Sequence, residues 1–160
     1  VVTLPDTQYW QAMTDYFEDL DIGDVFETRS YTVDKDEIVM FATEFDPQPF
    51  HVDEVAAEET FFGELVASGL HTMSITNKLG VEDVFDEIAN LAGRGMGDVR
   101  FHRPVRPGDT LSVEVEVLEK SISERHSDRG DVTFEQRTIV DGTVVLSLQL
   151  QLIVRRTPDA

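Results

Sequence analysis

A carboxylate and an imidazole lie five residues apart in the segment Asp46-Pro47-Gln48-Pro49-Phe50-His51. Each of the two prolines restricts a backbone φ angle, so this loop samples fewer conformations than an ordinary loop of its length. Such a loop can hold an acid–base pair at a fixed separation. Proton transfer to and from a reacting group requires groups of this kind, placed within reach of one water molecule. Asp46 and His51 are therefore the leading candidates for catalytic residues.

A helix is predicted immediately before this loop. Asp34 is a good N-terminal cap, and Glu37 follows three residues later, as in a capping box. Apolar residues then recur with the spacing of one helical face, at Ile38, Phe41, Ala42 and Phe45. Pro47 disfavours a helical conformation at the residue before it, so the helix should end at Asp46. We expect the loop from Asp46 to His51 to be non-helical throughout.

Three further helices are predicted between this loop and the middle of the chain. The first starts at Asp53, where acidic residues favour a helix N-terminus, and runs to about Phe61. The second starts near Ser68 and Gly69 and ends at Gly80. Its apolar residues do not follow one narrow stripe, which is typical of a helix covered on several sides. The third is a short helix over residues 81–88.

The remaining segments have the pattern of β-strands. One strand is predicted over residues 25–33, and from Gly93 onward further strands begin with Val99 and Phe101. Alternating apolar and polar residues predict three more strands, at 111–117, 132–140 and 144–154. Asp141-Gly142 between the last two predicts a type I′ hairpin turn. This order indicates an α+β fold in which an antiparallel sheet wraps around a central helix.

Three stretches of the chain resemble the MaoC-like dehydratase family, in particular its (R)-specific enoyl-CoA hydratases. The segment Asp46–His51 resembles the hydratase motif of that family, which reads roughly Asp-x-Asn-Pro-hydrophobic-His. Asp46, Pro49 and His51 match this motif in spacing, and Gln48 replaces the usual Asn. Two other stretches, Gly63–Thr72 and Val99–Thr110, resemble family segments at the start of the buried helix and before the alternating strand. The resemblance covers roughly residues 23–155.

The resemblance implies a hot-dog fold, with an antiparallel sheet around a long helix. We expect a single MaoC-like domain over residues 23–156. Residues 1–22 are predicted to be an N-terminal lead-in, a short helix with Tyr9, Trp10, Tyr16 and Phe17 that packs on this domain. It also implies a homodimer or an assembly of dimers, with the acyl chain in a tunnel near the subunit interface.

The resemblance further implies a reaction, the addition of water to the double bond of a trans-2-enoyl-CoA to give an (R)-3-hydroxyacyl-CoA. Asp46 and His51 would hold and activate the water, and the pair would return a proton to the α-carbon. The backbone N–H of Gly69, beside Ser68, would receive the thioester oxygen. A helix N-terminus suits this role, because its free N–H groups and positive dipole end favour developing negative charge.

Each of these residues also has a purely structural interpretation. Asp46 could close the loop, His51 could be a satisfied buried histidine, and Gly69 could serve helix packing. For Ser68 the helix cap is the preferred interpretation. His71, inside the buried helix, is interpreted as structural, as are His102 in a strand and His126 in a loop. Arg103 and Arg106 lie beside a turn, where solvation or salt bridges are commoner than contact with CoA phosphates.

The charge of the chain excludes some partners. Acidic residues number 32 and basic residues 13, which gives a net charge of −19. Such a surface repels nucleic acid and anionic lipid, and salt would screen its self-repulsion, so we expect a salt-loving source. No apolar run is long enough to cross a membrane, and Val1–Asp6 lack the features of a signal peptide, so a cytoplasmic protein is expected.

Two other functions compete with the hydratase. A hot-dog thioesterase would need a carboxylate on the buried helix, and no acidic residue lies between Gly69 and Leu79. A non-catalytic module that binds acyl thioesters would not need the pair of Asp46 and His51. No cysteine is present, and the histidines lack a recognised ligand spacing, so we expect no metal; the CoA thioester is the substrate and no cofactor is expected.

Overall fold

The structure is a computed structural model that describes residues 15–158. Of the predicted lead-in helix, Tyr9 and Trp10 lie outside these residues, whereas Tyr16 and Phe17 lie within them. Within the described part of the lead-in, Phe17 begins a short 3-10 turn, Phe17–Asp19, and its ring is buried in the core. The lead-in is therefore packed against the rest of the fold from Phe17 onward.

An antiparallel sheet of six strands forms the body of the fold. Its strands are β1 (Val25–Glu27), β2 (Tyr31–Thr32), β3 (Asn90–Phe101), β4 (Thr110–Ile122), β5 (Arg129–Val140) and β6 (Thr143–Arg155). The main path through the sheet is β1-β4-β5-β6-β3, and β2 pairs with the end of β4. The sheet packs against the long helix α4 (Gly69–Asp83), which confirms the predicted hot-dog fold.

The single strand predicted over residues 25–33 is wrong, because the chain leaves the sheet between β1 and β2. The hydroxyl of Thr28 accepts a hydrogen bond from the N–H of Val113 in β4, at 2.9 Å, in place of a backbone carbonyl. The next N–H, that of Arg29, donates to the carboxylate of Asp83 at 2.6 Å. Side chains thus take over the hydrogen bonds of the strand ladder at this point.

Helix α1 (Lys35–Phe45) confirms the predicted helix before the proline loop. The side chain of Asp34 accepts a hydrogen bond from the N–H of Glu37 at 2.8 Å, as a capping residue should. The helix ends at Asp46, whose N–H donates to the carbonyl of Ala42. Asp46 is therefore carried on the last turn of a regular helix.

The prediction of a wholly non-helical loop is wrong in its second half. Residues Pro49–Val52 form one helical turn, α2, which is followed by α3 (Glu54–Glu58). Proline is well tolerated at the first position of a helix, because the N–H that it lacks has no intrahelical acceptor there. Asp53 caps α3 as predicted, but α3 ends at Glu58 rather than near Phe61.

The predicted end of the buried helix at Gly80 is also wrong. Helix α4 continues to Asp83, and a 3-10 turn over Phe85–Glu87 replaces the separate helix expected at residues 81–88. A Cβ atom on Gly80 would lie 2.9 Å from the ring of Phe85. Glycine is needed at this position for close packing, and not to end the helix.

The strand predicted to begin at Val99 begins earlier and includes the glycine-rich residues 93–97. Strand β3 begins at Asn90, and its pairing with β6 has three register shifts, between Asn90 and Ala92, Gly93 and Gly95, and Gly97 and Arg100. Bulges of this kind are common on edge strands, and β3 lies at the edge of the sheet.

Strands β4, β5 and β6 confirm the alternation read from the sequence. Their inward side chains are fully buried against α4, whereas the alternate positions are partly exposed. Asp141 and Gly142 both have positive φ angles, of 48° and 74°, as a type I′ turn requires. The rigid sheet therefore supports α4, whose N-terminus begins the candidate site.

Candidate active site

Asp46 is held in place by hydrogen bonds from two neighbouring side chains and faces a third. The hydroxyl of Ser68 donates to its Oδ2 atom at 2.6 Å, and the amide of Gln48 donates to its Oδ1 atom at 2.8 Å. The Nε2 atom of His51 lies 3.5 Å from the same Oδ2 atom. Gln48, at the position where the family motif has Asn, therefore supplies a hydrogen bond to the carboxylate.

These contacts also determine the charge of Asp46. The hydrogen bond from Ser68 is the largest cause that lowers its pKa below the ordinary value, and Gln48 and the nearby His51 lower it further against the opposing effect of burial. The Asp46 carboxylate is thus ionised at neutral pH, which is the form that a general base requires.

His51 is buried and its ring orientation is fixed. Its Nδ1 atom lies 2.7 Å from the carbonyl oxygen of Val66, which can only accept a hydrogen bond, so Nδ1 carries the proton. In the neutral ring the Nε2 atom then has a free lone pair, and this atom faces Asp46. A water molecule between these two acceptors can donate one hydrogen to Asp46 Oδ2 and the other to His51 Nε2.

Both residues line a cavity of about 460 Å³ at the N-terminal end of α4. Most of its other lining residues are apolar, and they include Phe50, Phe61, Phe62, Val66, Ala67, Phe101, Pro104, Val105 and Val145. Gly69 and Thr72, from the first turn of α4, also line it. A volume of this size and an apolar wall suit a small acyl group.

Ser68 and Gly69 lie where the sequence placed them, at the start of α4. Ser68 caps the helix, because its hydroxyl accepts from the N–H of Leu70 at 3.2 Å while donating to Asp46. It is thus both a cap and a partner of the candidate base. Within the described chain the N–H of Gly69 has no acceptor, which leaves it free to bind an oxygen in the cavity.

A second histidine of α4 forms its own pair with a carboxylate. The Nε2 atom of His71 lies 3.2 Å from Glu37 in α1, and its ring stacks on Phe41 with a centroid distance of 4.5 Å. Glu37 also accepts a hydrogen bond from Tyr31, which raises the pKa of that phenol to about 12. His71 does not line the cavity, in agreement with its structural interpretation.

Sequence reasoning missed two parts of this site. Val66 acts through its backbone carbonyl, which any residue could supply, so its side chain gives no signal. Phe101 lies on Gly69, and a Cβ atom on that glycine would meet the phenyl ring at 2.6 Å. The family stretch from Val99 contains Phe101, but its contact with Gly69 depends on the pairing of β3 with β6.

Residues 15–158 contain no group of three or more His, Asp and Glu side chains placed to hold a metal ion. No helix in that part of the chain is long and apolar enough to cross a membrane.

The fold and the site together define a hot-dog protein with an Asp–His pair in an acyl-sized cavity, and comparison with known proteins gives its family. A family model described as MaoC like domain matches residues 19–134. A 3-hydroxybutyryl-CoA dehydratase of Methylorubrum extorquens is 32% identical over 141 residues, which cover 83% of each chain. The chain belongs to the MaoC-like family.

Solved structures support the same assignment. The MaoC-like dehydratase from Rhodospirillum rubrum is 41% identical, with a TM-score of 0.84, and the match covers 89% of this chain and 98% of that one. The R-hydratase PhaJ1 from Pseudomonas aeruginosa is 25% identical, with a TM-score of 0.72 and coverage of 90% and 88%. The relatives of this chain thus include both hydratases and dehydratases.

Proposed function

We propose that the protein adds water to a trans-2-enoyl-CoA to give an (R)-3-hydroxyacyl-CoA, and catalyses the reverse dehydration. The observation that carries this proposal is the separation of 3.5 Å between Asp46 Oδ2 and His51 Nε2, both of which line one cavity. Membership of the MaoC-like family supports this proposal, as does the similarity to a dehydratase and to an R-hydratase.

The reaction begins with a water held between the pair. Its hydrogens point to Asp46 Oδ2 and His51 Nε2, so its oxygen lone pair is free to attack the β-carbon of the substrate. As the new C–O bond forms, the proton of the water passes to the pair, with Asp46 as the expected acceptor. The π electrons of the double bond move toward the thioester oxygen, which becomes negatively charged.

The free N–H of Gly69 is placed to stabilise that negative charge. It lies on the first turn of α4, where the positive end of the helix dipole adds to the hydrogen bond. When the enolate collapses, the pair gives its proton to the α-carbon. One proton enters the pair and one leaves it, so Asp46 and His51 end the cycle in their starting states.

Two alternatives remain, and each predicts a different outcome with an acyl-CoA. A thioesterase would release free CoA thiol, whereas a non-catalytic module would leave the substrate unchanged. The buried helix still offers a thioesterase no carboxylate near the cavity, because its acidic residues, Glu82 and Asp83, lie at the other end of α4 and contact Arg29.

A single assay separates these functions. Purified protein is mixed with crotonyl-CoA, and the conjugated thioester absorbance and the free thiol are followed together. We expect the absorbance to fall with no thiol released, and Asp46→Asn to slow that fall by orders of magnitude while circular dichroism stays unchanged. Thiol release would favour the thioesterase, and no reaction with any enoyl thioester would contradict the proposal.

The edge of the sheet favours a homodimer. Strand β3 pairs with β6 on one side, and among residues 15–158 no strand pairs with its other side. An unpaired edge of 12 residues is a template for a second strand, and a second copy of β3 would extend the sheet across a two-fold axis. Light scattering should give twice the mass of the chain, and a monomer at micromolar concentration would contradict this.

We also propose that the enzyme needs no cofactor and works in a salt-rich cytoplasm. We expect the reaction to need no added cofactor, and dialysis against a chelator should leave turnover unchanged. A net charge of −19 makes a salt-rich cytoplasm the expected environment, so the melting temperature should rise with KCl concentration up to the molar range. A melting temperature that falls over this range would contradict the salt-loving assignment.

A further inference from the structure

The opening of the cavity differs in charge from the rest of the molecule. The chain has 32 acidic residues, yet Asp46 is the only acidic residue among the described ones that line the cavity. Arg103 also lines the cavity, and its side chain is exposed. Since His51 is buried at the inner end, the exposed Arg103 lies toward the solvent opening.

Among residues 15–158, the side chain of Arg103 has no carboxylate partner, in contrast to most arginines of that part of the chain. Many arginines of this chain form ion pairs with carboxylates, and these are Arg29, Arg94, Arg106, Arg129, Arg137 and Arg156. The guanidinium of Arg103 makes no ion pair or hydrogen bond within residues 15–158. In so acidic a protein, a free guanidinium at a cavity opening is available to an anion from outside.

An exposed aromatic ring lies at the same opening. Phe61 lines the cavity and is 97% exposed, and its ring touches Phe62 edge-on with a centroid distance of 5.5 Å. Phe62 in turn touches Phe50, which contacts His51. One face of Phe61 is thus open to a flat ligand, and purine bases stack on such rings.

We infer that Arg103 and Phe61 form a binding site for the phosphorylated adenine nucleotide of the CoA thioester, with Arg103 on phosphate and Phe61 beneath the base. This inference rests on the proposed function, since it assigns the part of the substrate that lies outside the acyl cavity. It explains how a protein of net charge −19 binds a polyanionic substrate: the local cation offsets the repulsion of the surface.

The test compares two substrates with the same acyl group. Crotonyl-CoA carries the nucleotide, whereas the crotonyl thioester of N-acetylcysteamine does not. We expect Arg103→Ala to raise KM for crotonyl-CoA by roughly 10- to 100-fold, the usual cost of one charge-assisted hydrogen bond, and to leave kcat/KM for the short thioester unchanged. Phe61→Ala should also raise KM for crotonyl-CoA, by less than Arg103→Ala does.

Arg100 supplies the matched control. It lies on the same segment, is exposed, has no carboxylate partner within the described residues and does not line the cavity. Arg100→Ala should therefore leave KM for both substrates unchanged. An equal rise in KM for Arg100→Ala would mean that only the overall charge matters, and this would overturn the inference.

A further arm distinguishes a phosphate from a carboxylate on the acyl group. The N-acetylcysteamine thioester of an unsaturated dicarboxylic acid carries a carboxylate and no nucleotide. If Arg103→Ala impairs turnover of this substrate but not of crotonyl-CoA, Arg103 binds the acyl group, and the inference is wrong. Binding of adenosine 3′,5′-bisphosphate alone, measured by calorimetry, should be lost in Arg103→Ala.

The outcomes keep this inference separate from the proposed function. If the unmodified protein hydrates both crotonyl thioesters but Arg103→Ala leaves their ratio unchanged, only the nucleotide site is refuted. If it hydrates neither, the proposed function fails, and the calorimetric experiment still decides whether the nucleotide binds at Arg103.

Discussion

Two buried histidines each face a carboxylate carried by α1, yet only one pair is placed for chemistry. His51 faces Asp46 at the end of the helix, and His71 faces Glu37 in its first turn. The rings are similarly buried, with 5% and 3% of their surface exposed. A buried His–carboxylate pair is therefore not sufficient evidence of a catalytic site.

The two pairs differ in what surrounds them. Asp46 and His51 line the cavity, and the Oδ2 and Nε2 atoms that face each other are 3.5 Å apart. His71 stacks on Phe41, and its partner Glu37 is already bonded to Tyr31. The first pair has room and acceptors for a water molecule, whereas the second joins α1 to α4 and β2.

The largest expected effect follows directly from this contrast. His51→Ala should lower kcat/KM for crotonyl-CoA by about 10²–10⁴-fold, the usual contribution of a general acid–base group. His71→Ala should change kcat/KM by less than about threefold but lower the free energy of unfolding by about 1–3 kcal/mol, because it leaves a cavity between α1 and α4. Steady-state kinetics and urea unfolding measure both. Equal losses of activity would refute the distinction.

The second effect concerns the N-terminus of α4. Gly69→Ala would place a Cβ atom 2.6 Å from the ring of Phe101, so the ring must move within the cavity. We expect kcat/KM to fall by about 10- to 100-fold through the misplaced substrate. Phe101→Leu should restore part of the activity in the double variant. If Phe101→Leu restores nothing, the loss comes from another cause than this contact.

The third effect concerns the pH dependence of the reaction. Ser68→Ala removes the hydrogen bond that lowers the pKa of Asp46, so that pKa should rise. Because the active form is the carboxylate, the acidic limb of kcat/KM should move to higher pH, with a loss of about tenfold at neutral pH from the weaker positioning of Asp46. Ser74→Ala, an exposed serine on the same helix, is the control and should leave the limb in place.

The smallest effect is expected at Gln48. Its amide donates to the Oδ1 atom of Asp46, which is the oxygen that does not face His51. Gln48→Leu should therefore lower kcat by only about twofold to fivefold, and Gln48→Asn should lower it less, if the shorter amide still reaches the carboxylate. A larger loss of activity in Gln48→Leu than in Ser68→Ala would contradict the prediction that the hydrogen bond from Ser68 contributes more to turnover than the one from Gln48.

Local signals predicted much of this structure. The Asp34 cap, the helix that ends at Asp46 and the Asp141-Gly142 hairpin all depend on residues close in the chain, and all are confirmed. The alternation of apolar and polar residues in β4, β5 and β6 correctly predicted one buried face for each strand. The spacing of Asp46 and His51 was also visible, because one short loop carries both residues.

Tertiary contacts account for what the sequence did not predict. Gly80 reads as a helix stop, but its role is to admit the ring of Phe85. Gly93 and its neighbours precede the strand that the sequence predicts at Val99, but pairing with β6 includes them in an edge strand. The carbonyl of Val66, which orients His51, has no signature in a side chain at all.

The central claim is that Asp46 and His51 direct one water to the β-carbon of the substrate. The most direct test is turnover of crotonyl-CoA in H₂¹⁸O, with mass spectrometry of the product, for the unmodified protein, Asp46→Asn and the isosteric control Glu37→Gln. We predict ¹⁸O in the 3-hydroxyl group, at a rate that falls at least about a hundredfold in Asp46→Asn and stays near normal in Glu37→Gln. Label in a free carboxylate, or equal rates in the two variants, would contradict the claim.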